Sequence, residues 1–309
     1  MRIRSLAVSG LLAANVAWAA IDHAAPAAAS PATAFAAESP FNNRIPARAV
    51  VDPNSADMVA GISRNHSMHA NLVEFGIPIY QVTADAPRTS VKCTITAWGP
   101  CPFGEHQIPI PQDAKPSPGS DGAMVVIDAA AGRSYEFWQA KPGDATWTTS
   151  FGAVHPLDGP GWGGFGTGAG ASRLGGVIRI SEIERGVIPH ALALQVDNAC
   201  TTDFRAPATK TDGSSRRPDC VPQGALIRLD PSVDLAALTL TPAERAVGQA
   251  LQEYGGYVVD SGGAPLSVSF ELDPTASGNS IGSVYENAGL RWDYDDMSGL
   301  PLDRLQVLA

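Results

Sequence analysis

The chain predicts a mainly β protein, a β-sandwich or jelly roll with one or two packed α-helices. Composition is the first reason. The 309 residues include 31 Gly and 25 Pro, with only 17% charged side chains, the makeup of a chain that turns often. The second is pattern: short runs of β-branched and aromatic residues recur between Gly, Pro and Asp, without the regular helices that alternate with strands in parallel α/β folds. The third is that two helical segments alone carry clear start signals.

Taken in order, residues 1–20 read as a secretory signal peptide. Arg2 and Arg4 supply the positive start, Leu6 to Ala20 is almost entirely small or apolar, and Ala17-Trp18-Ala19 is a small-x-small cleavage site. The apolar run of about fifteen residues is shorter than the roughly 20 a bilayer span needs, so no membrane span is expected and the destination is extracellular or periplasmic. Residues 21–38 are Ala, Pro and Ser with little to bury, which predicts a disordered tether. Residues 39–309 then form a single β-sandwich-like domain.

Asp52-Pro53-Asn54-Ser55 opens a helix that runs through Met58, Val59 and Ile62 and ends near Ser63. Strands are expected at 75–82, 123–127, 134–140, 176–180, 190–196, 225–229, 257–259 and 266–271. Between 176–180 and 190–196 the chain reads as one tight turn, opened by Ser181 and closed by Gly186. Thr241-Pro242-Ala243-Glu244 is a capping box with Pro at the first helical position, and Gly255-Gly256 stops the helix that follows.

Charge and motifs exclude several functions. The net charge is −10 and the largest basic cluster is Arg216-Arg217, so bulk attraction to nucleic acid or anionic lipid is not expected. The Gly-rich stretch 159–176 formally contains G-x-G-x-x-G, but no strand enters it and no helix leaves it where a nucleotide cradle requires. H-E-x-x-H and C-x2-C are absent from the sequence. No cofactor and no metal are therefore expected. Four cysteines in an exported chain favour disulfides. Of three connectivities the local one, Cys93 with Cys101 and Cys200 with Cys220, brackets Pro- or Gly-containing loops.

Catalytic candidates come from the strand pattern. His190 alternates with Leu192, Leu194 and Val196, which aims an imidazole among apolar neighbours as a general base or as a core histidine bonded to a carbonyl. Glu182, just before it, either fixes the His190 tautomer or occupies the first turn of a short helix. Glu136 and Trp138 share one face of 134–140, and Tyr135 and Phe137 the other. If the latter face meets the core, an indole and a carboxylate stand together as a sugar platform with an acid beside it. Asp260, at the end of YGGYVVDSGG with Tyr257, is a catalytic carboxylate or a turn former. Trp162 either packs on the body or reaches a ligand, and Arg173 or Arg179 would neutralise a substrate carboxylate.

Gly176 to Leu192 (GVIRISEIERGVIPHAL), Asp121-Gly122 through Asp128, and YGGYVVDSGG from Tyr254 together resemble a widespread family of secreted bacterial proteins usually labelled hypothetical. The likeness runs from SPFNNRIP to VSFELD. It implies that His190, Glu182 and Asp260 belong to a recurring framework and carries no activity with it. The expected function is that of a secreted carbohydrate-active protein, a glycoside hydrolase or polysaccharide lyase acting on extracellular polysaccharide. A non-catalytic glycan-binding or cell-surface structural protein is the alternative.

Overall fold

The computed structural model describes residues 34–143 and 146–309. The expected signal peptide and most of the expected tether lie outside these residues. In chain order, α1 (Ser55–Ile62) precedes β1 (His69–Asn71), β2 (Ile79–Val82), β3 (Arg88–Cys93), β4 (Gln107–Pro109), β5 (Met124–Asp128), β6 (Arg133–Trp138), β7 (Thr146–Thr149) and β8 (Phe151–Pro156). There follow α2 (Ile180–Arg185), β9 (Leu192–Val196), β10 (Ala199–Phe204), β11 (Val221–Gln223), β12 (Leu226–Leu229) and α3 (Pro242–Glu253). β13 (Gly256–Ser261), β14 (Ser267–Ser269), α4 (Ser283–Asn287) and β15 (Leu305–Val307) complete the fold.

The fold is mainly β, as expected, with several sheets and four α-helices among the described residues. A six-stranded sheet has the order β1-β14-β9-β13-β12-β15, and a four-stranded sheet the order β2-β5-β6-β8. Smaller sheets are β4-β3-β7 and β10-β11. Each of the four contains a parallel pair, such as β9 with β13 and β2 with β5. A sandwich or jelly roll of Greek keys is built from antiparallel pairs, so the hydrogen bonding differs from that expectation.

Alternation along the strands divides the interior into layers. Leu192, Leu194 and Val196 of β9 enter a core shared with Met58, Val247, Leu251 and Tyr285 of the helices. Ala193, on the other face, joins Val125 and Ile127 of β5 in a second core between the two larger sheets. Met124 and Val126 point the opposite way, into a third core with Tyr135, Phe137 and Trp147. β5 is thus buried on both faces, which is why it reads as an unbroken apolar run.

α3 forms as its capping box predicts. Thr241 Oγ1 accepts from the Glu244 N–H at 3.2 Å, Glu244 Oε2 accepts from the Thr241 N–H at 2.8 Å, and Ala243, Ala246, Val247, Ala250 and Leu251 are buried. α1 follows Asn54 as expected, though no side-chain bond caps it. Both disulfides form in the expected pairing, Cys93–Cys101 and Cys200–Cys220.

Two expectations need correction. Residues 176–180 make only an isolated bridge, Ile178 to Phe270, and the expected turn before His190 is the helix α2. Glu182 winds it by accepting from the Arg179 N–H at 2.8 Å, and Gly186 closes it at φ 68°. Residues 34–38, expected to belong to the tether, are instead part of the fold: Phe35 is buried against His155 and the Ala36 N–H donates to the Gly159 carbonyl. The aromatic ring has enough apolar surface to dock where Ala, Pro and Ser do not.

Candidate functional site

β13 delivers Asp260. Val258 pairs with Leu194, and the next paired residue, Asp260, faces Gln195, so Val259 is the extra residue of a β-bulge. A bulge resets the in-out alternation, and here it turns a carboxyl group out of the strand toward the loop 159–176. The Gly168 N–H donates to Asp260 Oδ1 at 3.0 Å. Burial pushes the Asp260 carboxyl up to about 7; the charge of Arg173 opposes the shift, and Asp212, which hydrogen-bonds to it, adds to it. A second acidic group in contact raises the pKa of the first because two negative charges side by side repel.

Asp212 comes from the loop closed by Cys200–Cys220. Its Oδ1 accepts from Ser261 Oγ at 2.8 Å and from the Gln223 amide, while the Asp212 N–H donates to Gln223 Oε1 at 3.1 Å. Lys210, in the same loop, donates to the Thr167 and Gly168 carbonyls at 2.7 and 2.9 Å. Burial lowers its pKa, and the charges of Asp260 and Asp212 oppose that shift. The lysine therefore ties the disulfide loop to the Gly-rich loop over Asp260. A Cβ on Gly168 would stand 2.3 Å from the Asp212 carboxyl, so this approach requires glycine.

β6 supports the opposite wall. Tyr135 and Phe137 face the third core, which leaves Glu136 and Trp138 on the other side. Glu136 is buried and accepts from Ser134 Oγ at 3.1 Å, from Ser172 Oγ, and from the Arg173 N–H at 2.6 Å. It anchors the loop behind the cleft instead of lining it. The Arg173 side chain passes forward, with Nη1 4.0 Å from Asp121 Oδ2. Trp138 Nε1 donates to Asp121 Oδ1 at 3.3 Å, so the indole and the guanidinium flank the same carboxylate.

Two cavities meet at this point. One, of about 460 Å³, is faced by Trp98, Trp138, Phe151 and Phe165; the other, of about 590 Å³, opens past Phe75 and Tyr294. Asp121, Thr167, Arg173, Asp260 and Ser261 line both, and form the waist of one continuous cleft. Trp98 is 49% exposed and stacks on Trp138 at 5.8 Å and 16°. Phe165 is 48% exposed and edge-on to Phe151, which meets Trp98 in turn.

Comparison with protein-family profiles, with curated proteins and with solved structures finds no match to this chain.

The other residues singled out in the sequence lie elsewhere. His190 is buried: Nδ1 donates to the Ala191 carbonyl at 2.9 Å and Nε2 to Glu182 Oε2 at 3.1 Å. Burial works against a charged ring there, but the hydrogen bond and charge of Glu182, with the carbonyl, raise the His190 pKa above its ordinary value. With both nitrogens donating inside the core, His190 is not a general base, and Glu182 serves as cap and counter-ion of α2. Arg179 is paired with Glu271 at 2.8 Å. Trp162 is buried, stacked on Phe41 at 5.2 Å and packed against Tyr257 at 5.5 Å, so both rings belong to the second core and not to the cleft.

Of the expected site residues, Asp260, Arg173 and Trp138 therefore meet at the cleft, with Glu136 directly behind it. Asp121, Asp212, Lys210 and Trp98 were not anticipated as site residues. Asp121 precedes Gly122 at a strand entry, and Lys210-Thr211-Asp212-Gly213 is a polar turn inside a disulfide loop. Both signals are shared with ordinary surface turns.

Proposed function

We propose that the protein hydrolyses a glycosidic linkage in an extracellular polysaccharide, with Asp260 as general acid and Asp121 as the opposing carboxylate. The observation that carries this reading is the waist of the cleft, where two carboxyl groups and Arg173 meet between cavities faced with aromatic rings. Such enzymes need one proton donor and one carboxylate across the sugar. Asp260, protonated and in contact with Asp212, supplies the proton to the glycosidic oxygen as the C–O bond breaks. Asp121 acts on the opposite side of the anomeric carbon, either attacking it to form a glycosyl-enzyme that water then hydrolyses with Asp260, now ionised, as base, or taking a proton from the water that attacks directly. Trp98 and Trp138 offer broad apolar faces beside Asp121, suited to the C–H faces of a pyranose. A lyase would need a free base to abstract a proton, whereas both His190 nitrogens are committed and Arg173 already neighbours an acidic group.

The test is reducing-sugar release from a panel of polysaccharides by wild type, Asp260→Asn and Asp121→Asn. Loss of general acid–base catalysis costs about 10²–10⁴-fold, and both variants are expected to fall by that much while still binding glycan. Full activity in Asp260→Asn sinks the assignment. Glycan binding by a wild type that cleaves none of the panel returns the protein to the class of binding modules.

A further inference from the structure

The cavity beyond the waist differs in chemistry from the tryptophan side. Its floor is the cavity-facing side of β1, β14 and β9, where Gln195 pairs with Ser267 and Asn71 with Ser269 across the strands. Asn71 Nδ2 donates to Gln195 Oε1 at 3.2 Å, Ser267 Oγ donates to the same oxygen at 3.0 Å, and Gln195 Nε2 donates to Ser269 Oγ at 2.9 Å. Phe75 and Tyr294 stand at its rim, 6.3 Å apart and inclined by 49°. Apart from Asp121, Arg173 and Asp260 at the waist, its lining holds no Asp, Glu, Lys or Arg. His69 is tied by its Nδ1 to the Tyr294 carbonyl at 3.1 Å.

We propose that this cavity is a second set of subsites for uncharged sugar residues, so that the protein binds a neutral polymer on both sides of the waist and cleaves within the chain. The inference rests on the hydrolase reading of Asp260 and Asp121. Amides and hydroxyls in a connected row donate and accept along the sheet, as sugar hydroxyls require, and the two rings at the rim take an apolar sugar face. Each cavity lies in the size range of a small-molecule site. A uronate polymer would instead need cations along this floor. It would also meet the carboxyl groups of the waist on a protein of net charge −10.

The experiment uses Asp260→Asn, which preserves the shape of the cleft without turnover. Calorimetric titration runs from disaccharide to hexasaccharide in neutral β-linked glucan, xylan, galactan and arabinan series, with oligogalacturonides as the charged comparison. Affinity for one neutral series is expected to rise about tenfold or more with length. Gln195→Ala and the rim variant Phe75→Ala, each added to Asp260→Asn, are expected to remove most of that rise while leaving disaccharide affinity on the tryptophan side in place. Affinity without length dependence, tighter binding of the charged series, no binding of any series, or no effect of Phe75→Ala on the hexasaccharide each overturn the proposal. Wild-type products separate the two readings. Release of single sugars from chain ends rejects internal cleavage but keeps the hydrolase, whereas length-dependent binding without any cleavage keeps the subsites and rejects the hydrolase.

Discussion

Burial disfavours the charged form of both Asp260 and His190, and their partners decide the outcome. For Asp260, burial raises the pKa and Asp212 adds to it, so the proton is held more tightly; for His190, burial lowers it but the hydrogen bond and charge of Glu182 outweigh that. The linkage follows in sign. For Asp260 the folded pKa, about 7, lies above the ordinary 3.8, so the folded state binds more protons between those values and stability falls as pH rises through that window. Asp260→Asn keeps a donor toward Asp212 and an acceptor for the Gly168 N–H. Urea titrations should find the variant more stable than wild type by about 2 kcal/mol above pH 7, allowing for exposure to the cleft, and equal to it below pH 4. For His190 the raised pKa contributes stability that is fully present below its ordinary 6.5 and is lost as pH rises through the folded value. His190→Ala leaves Glu182 buried without its partner and should cost about 3–5 kcal/mol near neutral pH. A variant that melts like wild type would show that the pair is not structural.

At the scale of elements, the loop 159–176 carries the site because it is held from both sides. Glu136 grips the Ser172 hydroxyl and the Arg173 N–H from β6, while Lys210 grips two carbonyls from the disulfide loop. Gly166 is part of the same fit, since a Cβ there would lie 2.5 Å from Glu136 Oε2. Gly168→Ala pushes Asp212 and the loop apart and displaces the Asp260 contact. On the hydrolase reading, steady-state kinetics should find kcat/KM reduced by about tenfold or more, with a circular-dichroism spectrum like that of wild type. A capping variant gives the contrast: Thr241→Ala in α3 removes a helix cap far from the cleft. It should lower stability by about 1 kcal/mol in denaturant titrations and leave kcat/KM unchanged.

For the molecule as a whole, the four-stranded and six-stranded sheets enclose a common core, and the cleft opens beside it where β6, β13 and the two loops meet. The Cys200–Cys220 bridge closes the segment bearing Lys210 and Asp212, whereas Cys93–Cys101 joins β3 to the loop that follows it near Trp98. Replacing Cys200 and Cys220 by Ser should cost about 3 kcal/mol in the loop-entropy picture and, on the hydrolase reading, also weaken turnover. Comparing melting temperature and kcat with the Cys93/Cys101 double variant tests whether the larger loop supports the acid. Equal losses of kcat in the two variants would show that it does not. The disulfides fit an oxidising compartment, and no helix among the described residues is long and apolar enough to cross a membrane.

Local signals account for what was legible in advance. The capping box of α3, the start of α1, the apolar run of β5 and the local cysteine pairs depend on residues within a few positions of each other, so period, caps and spacing suffice to read them. The mainly β class followed from the same signals. The short polar strands β3 (RTSVKC) and β7 (TWTT) carry no such period and were missed; they are strands because each finds the other as a parallel neighbour. The site was legible only in part for the same reason. Asp260, Arg173 and Trp138 could be marked as chemically capable side chains, and so could His190, Trp162 and Tyr257. What separated them was whether a bulge, a glycine loop or a core ring lay opposite, and those partners are far away in the sequence. Residue type states which chemistry a side chain can perform. Burial and long-range pairing, which only folding creates, decide whether it faces a ligand.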